Sequence, residues 1–183
     1  MAKVLMLLLF IALVVAAEAE LQPGPRAAGR GRRRTGADTP THLHFYFHDT
    51  VSGKSPTAVR VVSPPDATRP MFGMLNVMDD PLTEGPEPGS KPVGQAQGLY
   101  MGSDQAQIGF LQAMNLVFTA GPYNGSTLAV LGRNCPLDAV RELPVVGGTG
   151  AFRFARGYAL LRTHWLDIRT GDATVEYNVY VTH

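Results

Sequence analysis

The stretch Thr41-His42-Leu43-His44-Phe45-Tyr46-Phe47-His48-Asp49 decides the fold class. Side chains of an extended chain point alternately to its two faces. Leu43, Phe45, Phe47 and Asp49 therefore share one face, and His42, His44, Tyr46 and His48 share the other. Such alternation marks a strand with one side against a core. Asp49 is the exception, a carboxyl group that ends the apolar stripe.

Working outward, further extended runs occur at 57–63, 71–79, 93–101, 107–119, 127–132, 152–163 and 174–182, which makes eight expected strands. Between them stand Ser52-Gly53, Pro64-Pro65, residues 86–92, Gly102-Ser103-Asp104, residues 121–125, residues 147–150 and Gly171-Asp172, all turn and breaker signals. No long stretch has helical periodicity; only residues 137–143 read as a short helical turn. The chain is thus all-β, a sandwich or a closed antiparallel barrel. Eight strands suit closure, because such a barrel leaves room for side chains or one small ligand. About 140 residues are enough for one core and too few for two. In 107–119, Ile108, Phe110, Met114, Leu116 and Phe118 share a face, while Leu111 and Val117 are apolar on the other. A second apolar face suggests contact with another subunit.

The N-terminal end reads as an export signal over residues 1–19. Lys3 gives the positive start, residues 4–16 are apolar but too few to span a bilayer, and Ala17-Glu18-Ala19 fits a small-residue cleavage site. Residues 20–41 are rich in Gly, Pro and Arg and read as a flexible leader, because they offer little apolar surface to offset the entropy of ordering. The folded domain is expected over 42–183. With 16 basic and 15 acidic residues, the chain lacks the folded basic surface that nucleic-acid binding needs. No membrane anchor is expected. A single cysteine, Cys135, permits no internal disulfide, and nothing in Gly132-Arg133-Asn134-Cys135-Pro136 activates it as a thiol.

Several residues could carry chemistry. Burial at the end of the Phe45–Phe47 stripe would favour the neutral acid of Asp49, able to donate a proton near neutrality. Asp79 and Asp80 precede Pro81, and adjacent strand residues face opposite ways, so only one enters a cavity. Tyr100 shares a face with Gly94, Ala96 and Gly98, small residues that would leave space beside its phenol. Arg156 alternates with Phe152, Phe154 and Tyr158; facing inward, it would need an aspartate or a phenolate, and facing outward it is an interface cation. Arg141 reads as a residue that fixes a loop. Gly147-Gly148-Thr149-Gly150 lacks the lysine and following helix of a phosphate-binding loop. His42, His44 and His48 have no downstream ligands at metal-site spacing, so no metal is expected. Asn124-Gly125-Ser126 is a glycosylation acceptor in a predicted loop.

Longer phrases resemble a known family: Phe45 to Thr50, Asp79-Asp80-Pro81-Leu82-Thr83-Glu84-Gly85-Pro86, Gln95 to Tyr100, Tyr123 to Leu128, Arg141 to Ala159 and Tyr177 to Val181. In this order they resemble the plant dirigent family, from about Thr41 to His183. The resemblance implies an eight-stranded antiparallel barrel, usually a trimer, secreted to the apoplast and needing no cofactor. It also implies a stereochemical guide without oxidative activity of its own. Such a guide orients phenoxy radicals, for example of coniferyl alcohol, made by a separate laccase or peroxidase, giving lignans such as pinoresinol. The family pattern selects Asp80 over Asp79; with Asp49 it would assist ring closure of a quinone methide, with Tyr100 and Arg156 holding oxygens.

The chain departs from the lignan-coupling pattern at Ala151, where those members often carry an acidic residue. Gly132-Arg133-Asn134 and residues 152–157 look like a broader branch, some of whose members dehydrate isoflavanols to pterocarpans. A cofactor-free cyclase or dehydratase is therefore the alternative. A non-catalytic phenolic-binding or wall-interaction protein is the third.

Overall fold

The computed structural model describes residues 40–66, 68–69 and 71–183. The expected signal peptide, and the leader up to residue 39, lie outside the described residues. Nine strands are present among those described: β1 Thr41–Asp49, β2 Ala58–Val62, β3 Leu75–Thr83, β4 Pro92–Gly102, β5 Phe110–Phe118, β6 Thr127–Asn134, β7 Arg141–Thr149, β8 Arg156–Leu166 and β9 Ala173–Thr182. All neighbours are antiparallel, in the order β1-β9-β8-β7-β6-β5-β4-β3-β2. Pairing of β1 with β3 closes eight of them into a barrel, and β2 lies as a flap on β3 alone.

The expected number is right for a different set of strands. Sequence reading counts β2, which is outside the ring, and omits β7, which is in it. Residues 137–143 give no helix; instead Arg141, Leu143 and Val145 point inward along β7 and are buried. Two features hide this strand. Pro144 interrupts it, yet lies beyond the last β6–β7 pair at Val130↔Val145, where a missing N–H removes no bond to β6. A register shift then lets Val146 bulge outward.

A second correction concerns the start of β8. Gly150–Phe152 is a short 3-10 turn and Phe154 adopts a left-handed backbone, φ 68°. This breaks the expected alternation: Phe152 is buried, Phe154 is 88% exposed, and β8 begins at Arg156.

The strands line two unlike ends of one barrel. At the closed end Leu82, Phe118, Leu128, Phe152, Val179 and Val181 fill the interior, with ring centroids of Phe118 and Phe152 5.5 Å apart and Tyr123 4.7 Å from Phe152. At the other end the same strands turn Asp49, Asn76, Tyr100, Gln112, Asn134 and Arg141 toward a cavity. Outside, Val59, Val77, Leu99, Ala113 and Leu131 pair in sequence across β2 to β6, forming a continuous apolar row on the face that the 107–119 pattern marks.

Candidate active site

The cavity opens where the barrel seam comes apart. β1 and β3 pair only at Tyr46↔Thr83 and Phe47↔Leu82. Two residues further along that register Asp49 would stand level with Asp80, but Thr57 enters the gap: its N–H donates to Thr50 O at 2.8 Å and its carbonyl accepts Asp79 N–H at 2.9 Å. The seam therefore parts beside two carboxyl groups. The resulting cavity measures about 480 Å³, and Phe47, Val51, Met74, Phe110 and Val175 give it mostly apolar walls.

Asp49 lines this cavity, and its Oδ1 is buried without a hydrogen-bond partner. Burial pushes its carboxyl up to about 6, partly offset by the Tyr100 phenol and reinforced by the charge of Asp172. Asp80 is fully buried behind it and does not line the cavity; both of its oxygens lack partners. Burial first, and then the charge of Asp49, push Asp80 up to about 8; Thr57 lies close enough to offset part of this without a hydrogen bond of normal geometry. Two carboxyls that resist simultaneous ionisation titrate as a pair. Near neutrality this pair holds about one proton, so acid and base stand side by side.

Tyr100 also lines the cavity, where Asn76 Nδ2 donates to its Oη at 2.7 Å. Burial, and then the Asp49 charge, raise its pKa, so the phenol stays protonated and can donate. The small residues on its stripe do not supply the space expected of them. A Cβ at Gly98 would lie 2.2 Å from Ala113 O, so glycine there admits the β5 backbone rather than a guest.

The structure brings Asp49, Asp80 and Tyr100 together and leaves Arg156 out. Arg156 is exposed and paired with Thr182 at the closed end, the far end of β9 from Ala173, which pairs with Asp49. It is thus the outward cation of the two readings. The buried arginine of the cavity is Arg141, expected from the sequence to fix a loop. It is 4% exposed; Nη1 donates to Thr163 Oγ1 at 2.5 Å and to Pro136 O at 3.2 Å, while its buried Nε has no partner. Desolvation lowers its pKa, yet a guanidinium stays charged. β7 stands three strands from β1 around the ring, so cation and carboxyl occupy different walls. Asn76 Oδ1 and Asn134 Oδ1 are further buried acceptors without partners. The period-two spacing of Asn76, Met78 and Asp80, and of Arg141, Leu143 and Val145, is the signal that could have found them.

The histidines lie elsewhere. His42 Nε2 donates to Asn178 Oδ1 at 2.9 Å, His44 meets Glu176 at 2.8 Å, and His48 is buried between Thr83 and Thr174, where burial lowers its pKa. Among the described residues no three His, Cys, Asp or Glu side chains converge as a metal cluster. Asn124 is exposed beyond β5 at the closed end.

The family model for dirigent-like proteins matches residues 40–182. The chain belongs to the dirigent family. It is 54% identical over 138 residues to dirigent protein 21 of Arabidopsis thaliana, covering 74% of this chain and 73% of that one. It is 51% identical over 139 residues to pterocarpan synthase 1 of Glycine max, covering 74% and 75%. A solved pterocarpan synthase dirigent protein superposes with a TM-score of 0.76 at 50% identity, covering 80% of this chain and 96% of that structure. The eight-stranded antiparallel barrel is the fold these relatives share.

Proposed function

We propose that this dirigent protein is a cofactor-independent acid–base catalyst that closes a ring on a hydroxylated phenolic by removing water. The observation that carries the reading is the carboxyl pair Asp49–Asp80, held partly protonated at the wall of a cavity with apolar sides. Three of the pair's oxygens are buried without protein partners, a cost that a bound substrate can offset. The proton shared by the pair passes through Asp49, the member that lines the cavity, to the leaving hydroxyl of a benzylic alcohol, releasing water. A substrate bound with its conjugated phenol ionised against the free Nε of Arg141 thereby becomes a neutral quinone methide, and the charge returns to that oxygen, again facing Arg141, when the ring closes. A second phenol of the same molecule then adds to the electrophilic carbon and returns its proton to Asp49. One water leaves, one C–O bond forms, and the protein ends unchanged. The likeness to pterocarpan synthases supports this reading over the others.

The radical-guide reading uses the same final step, because a quinone methide made by radical coupling also closes by proton transfer. It draws support from relatives that carry only the dirigent name. One incubation series separates the readings: purified protein, candidate phenolic alcohols, and laccase or peroxidase present or absent, followed by chiral chromatography. Turnover without an oxidase is the expected result. A product altered only in handedness, and only with the oxidase, would replace the cyclase by a guide; binding with neither effect would make it a carrier.

Export to the apoplast, glycosylation of Asn124 and self-association belong to the same proposal. The apolar row from Val59 to Leu131 supports the last, since a second copy seated there would cover side chains now in water.

A further inference from the structure

The ladder between β1 and β9 ends on the pair Asp49↔Ala173. One residue before that pair stands Asp172, which closes the turn from β8. Its Oδ1 accepts the N–H groups of Val51 at 2.8 Å and Ser52 at 3.0 Å, and its Oδ2 accepts the Ser52 hydroxyl at 2.5 Å. These are the second and third residues after Asp49. The turn is itself braced: Asp167 N–H donates to Asp172 O at 2.9 Å, Gly171 N–H to Asp167 O at 2.7 Å, and Gly171 takes the left-handed φ of 88° that the bend requires.

β1 needs such a brace. Its backbone leaves β3 after Phe47, and beyond that point β9, the Thr57 and Ala58 amides and the His48–Thr83 side-chain bond hold it. Three hydrogen bonds accepted by one carboxylate fix the chain just where the strand would fray, two residues from the group that the proposed reaction uses.

We propose that Asp172 is a positioning residue for Asp49, anchoring the end of β1 so that the Asp49 carboxyl faces the cavity with a fixed anion at its back. This rests on the acid–base reading of the cavity. The groups facing Asp49 differ in kind. Asp80 on β3 shares its proton, Tyr100 on β4 is a neutral donor, and Arg141 on β7 is a cation across the cavity. Arg60 on β2 and Arg169 in the turn are cations at the mouth. Asp172 is the steady anion of the set. Partial desolvation works against its ionisation, but the Ser52 hydroxyl and the Val51 and Ser52 amides outweigh it and lower its pKa. Its charge is among the causes that raise Asp49.

The test follows the Asp49 carboxyl directly, by carbon-13 NMR of aspartate-labelled protein with the signal assigned through D49N. D172N keeps an oxygen for the two amides and removes the charge. It should lower the Asp49 midpoint by about half a unit or more. A folded D172N protein with an unmoved midpoint overturns the proposal. S52A keeps the charge and both amide bonds, so it carries the test should D172N fail to fold. Turnover should fall several-fold with the Asp49 midpoint retained, and unchanged turnover overturns the positioning role. Failure of the acid–base reading looks different: in the unaltered protein, Asp49 would titrate with ordinary carboxylates.

Discussion

The two ends of the barrel are built from the same strands and differ in almost every other respect. β5 carries Phe118 at the closed end and Gln112 at the open one; β6 carries Leu128 and Asn134; β3 carries Leu82 and Asn76. Strand periodicity is the same throughout, so the backbone does not make the difference. The closed end packs apolar side chains against each other, each fully buried one worth about 1.5–3 kcal/mol relative to exposure. The open end buries acceptors and a guanidinium nitrogen with no partner, each at a cost of about 1–3 kcal/mol unless a ligand or water meets it. Stability is concentrated where the interior is full, and the proposed reaction is placed where it is left polar and hollow.

Changes at the two ends should therefore separate. D49N should reduce turnover by about 10²–10⁴-fold, the range for loss of a general acid, with little change in melting temperature; loss of fold instead would make Asp49 structural. F152A at the closed end should do the opposite, costing about 3–5 kcal/mol in denaturant unfolding, while the protein that stays folded keeps its activity. D80N sharpens the contrast through pH. The folded-state pKa of Asp80, about 8, lies above its unfolded value, so its contribution to stability is full below about pH 4 and lost as pH rises through 8. Replacing it with the neutral amide should make the protein more stable at pH 9 by on the order of a few kcal/mol and nearly neutral in effect at pH 4, as read from paired thermal melts. The smallest effect is expected from N124Q at the exposed turn beyond β5. It should abolish the mass increment expected of a sugar at this position in protein from a secretory host and leave turnover unchanged, because Asn124 lies at the end away from the cavity.

The sequence shows the closed end more readily than the open one. Alternation in β1, β3, β5 and β9 exposes the apolar stripes, and turn residues mark most boundaries. Asp49 is legible because it ends such a stripe, and Tyr100 because it follows one. Arg141 is hidden by Pro144 and the glycine pair, which disguise β7 as loop. Arg156 misleads because its apparent alternation with Phe152 and Phe154 runs through a 3-10 turn and a left-handed residue that reset the faces. The nearness of Asp49 and Asp80 depends on the register of a seam closed by two pairs and wedged by Thr57, a relation between distant segments that periodicity does not encode.

Infrared difference spectroscopy of the carboxyl stretch at pH 7 addresses the central claim most directly, comparing the unaltered protein with D49N and D80N. A protonated-carboxyl band should be present in the unaltered protein and disappear in D80N. A spectrum in which every aspartate of the folded protein is ionised at that pH would contradict the account.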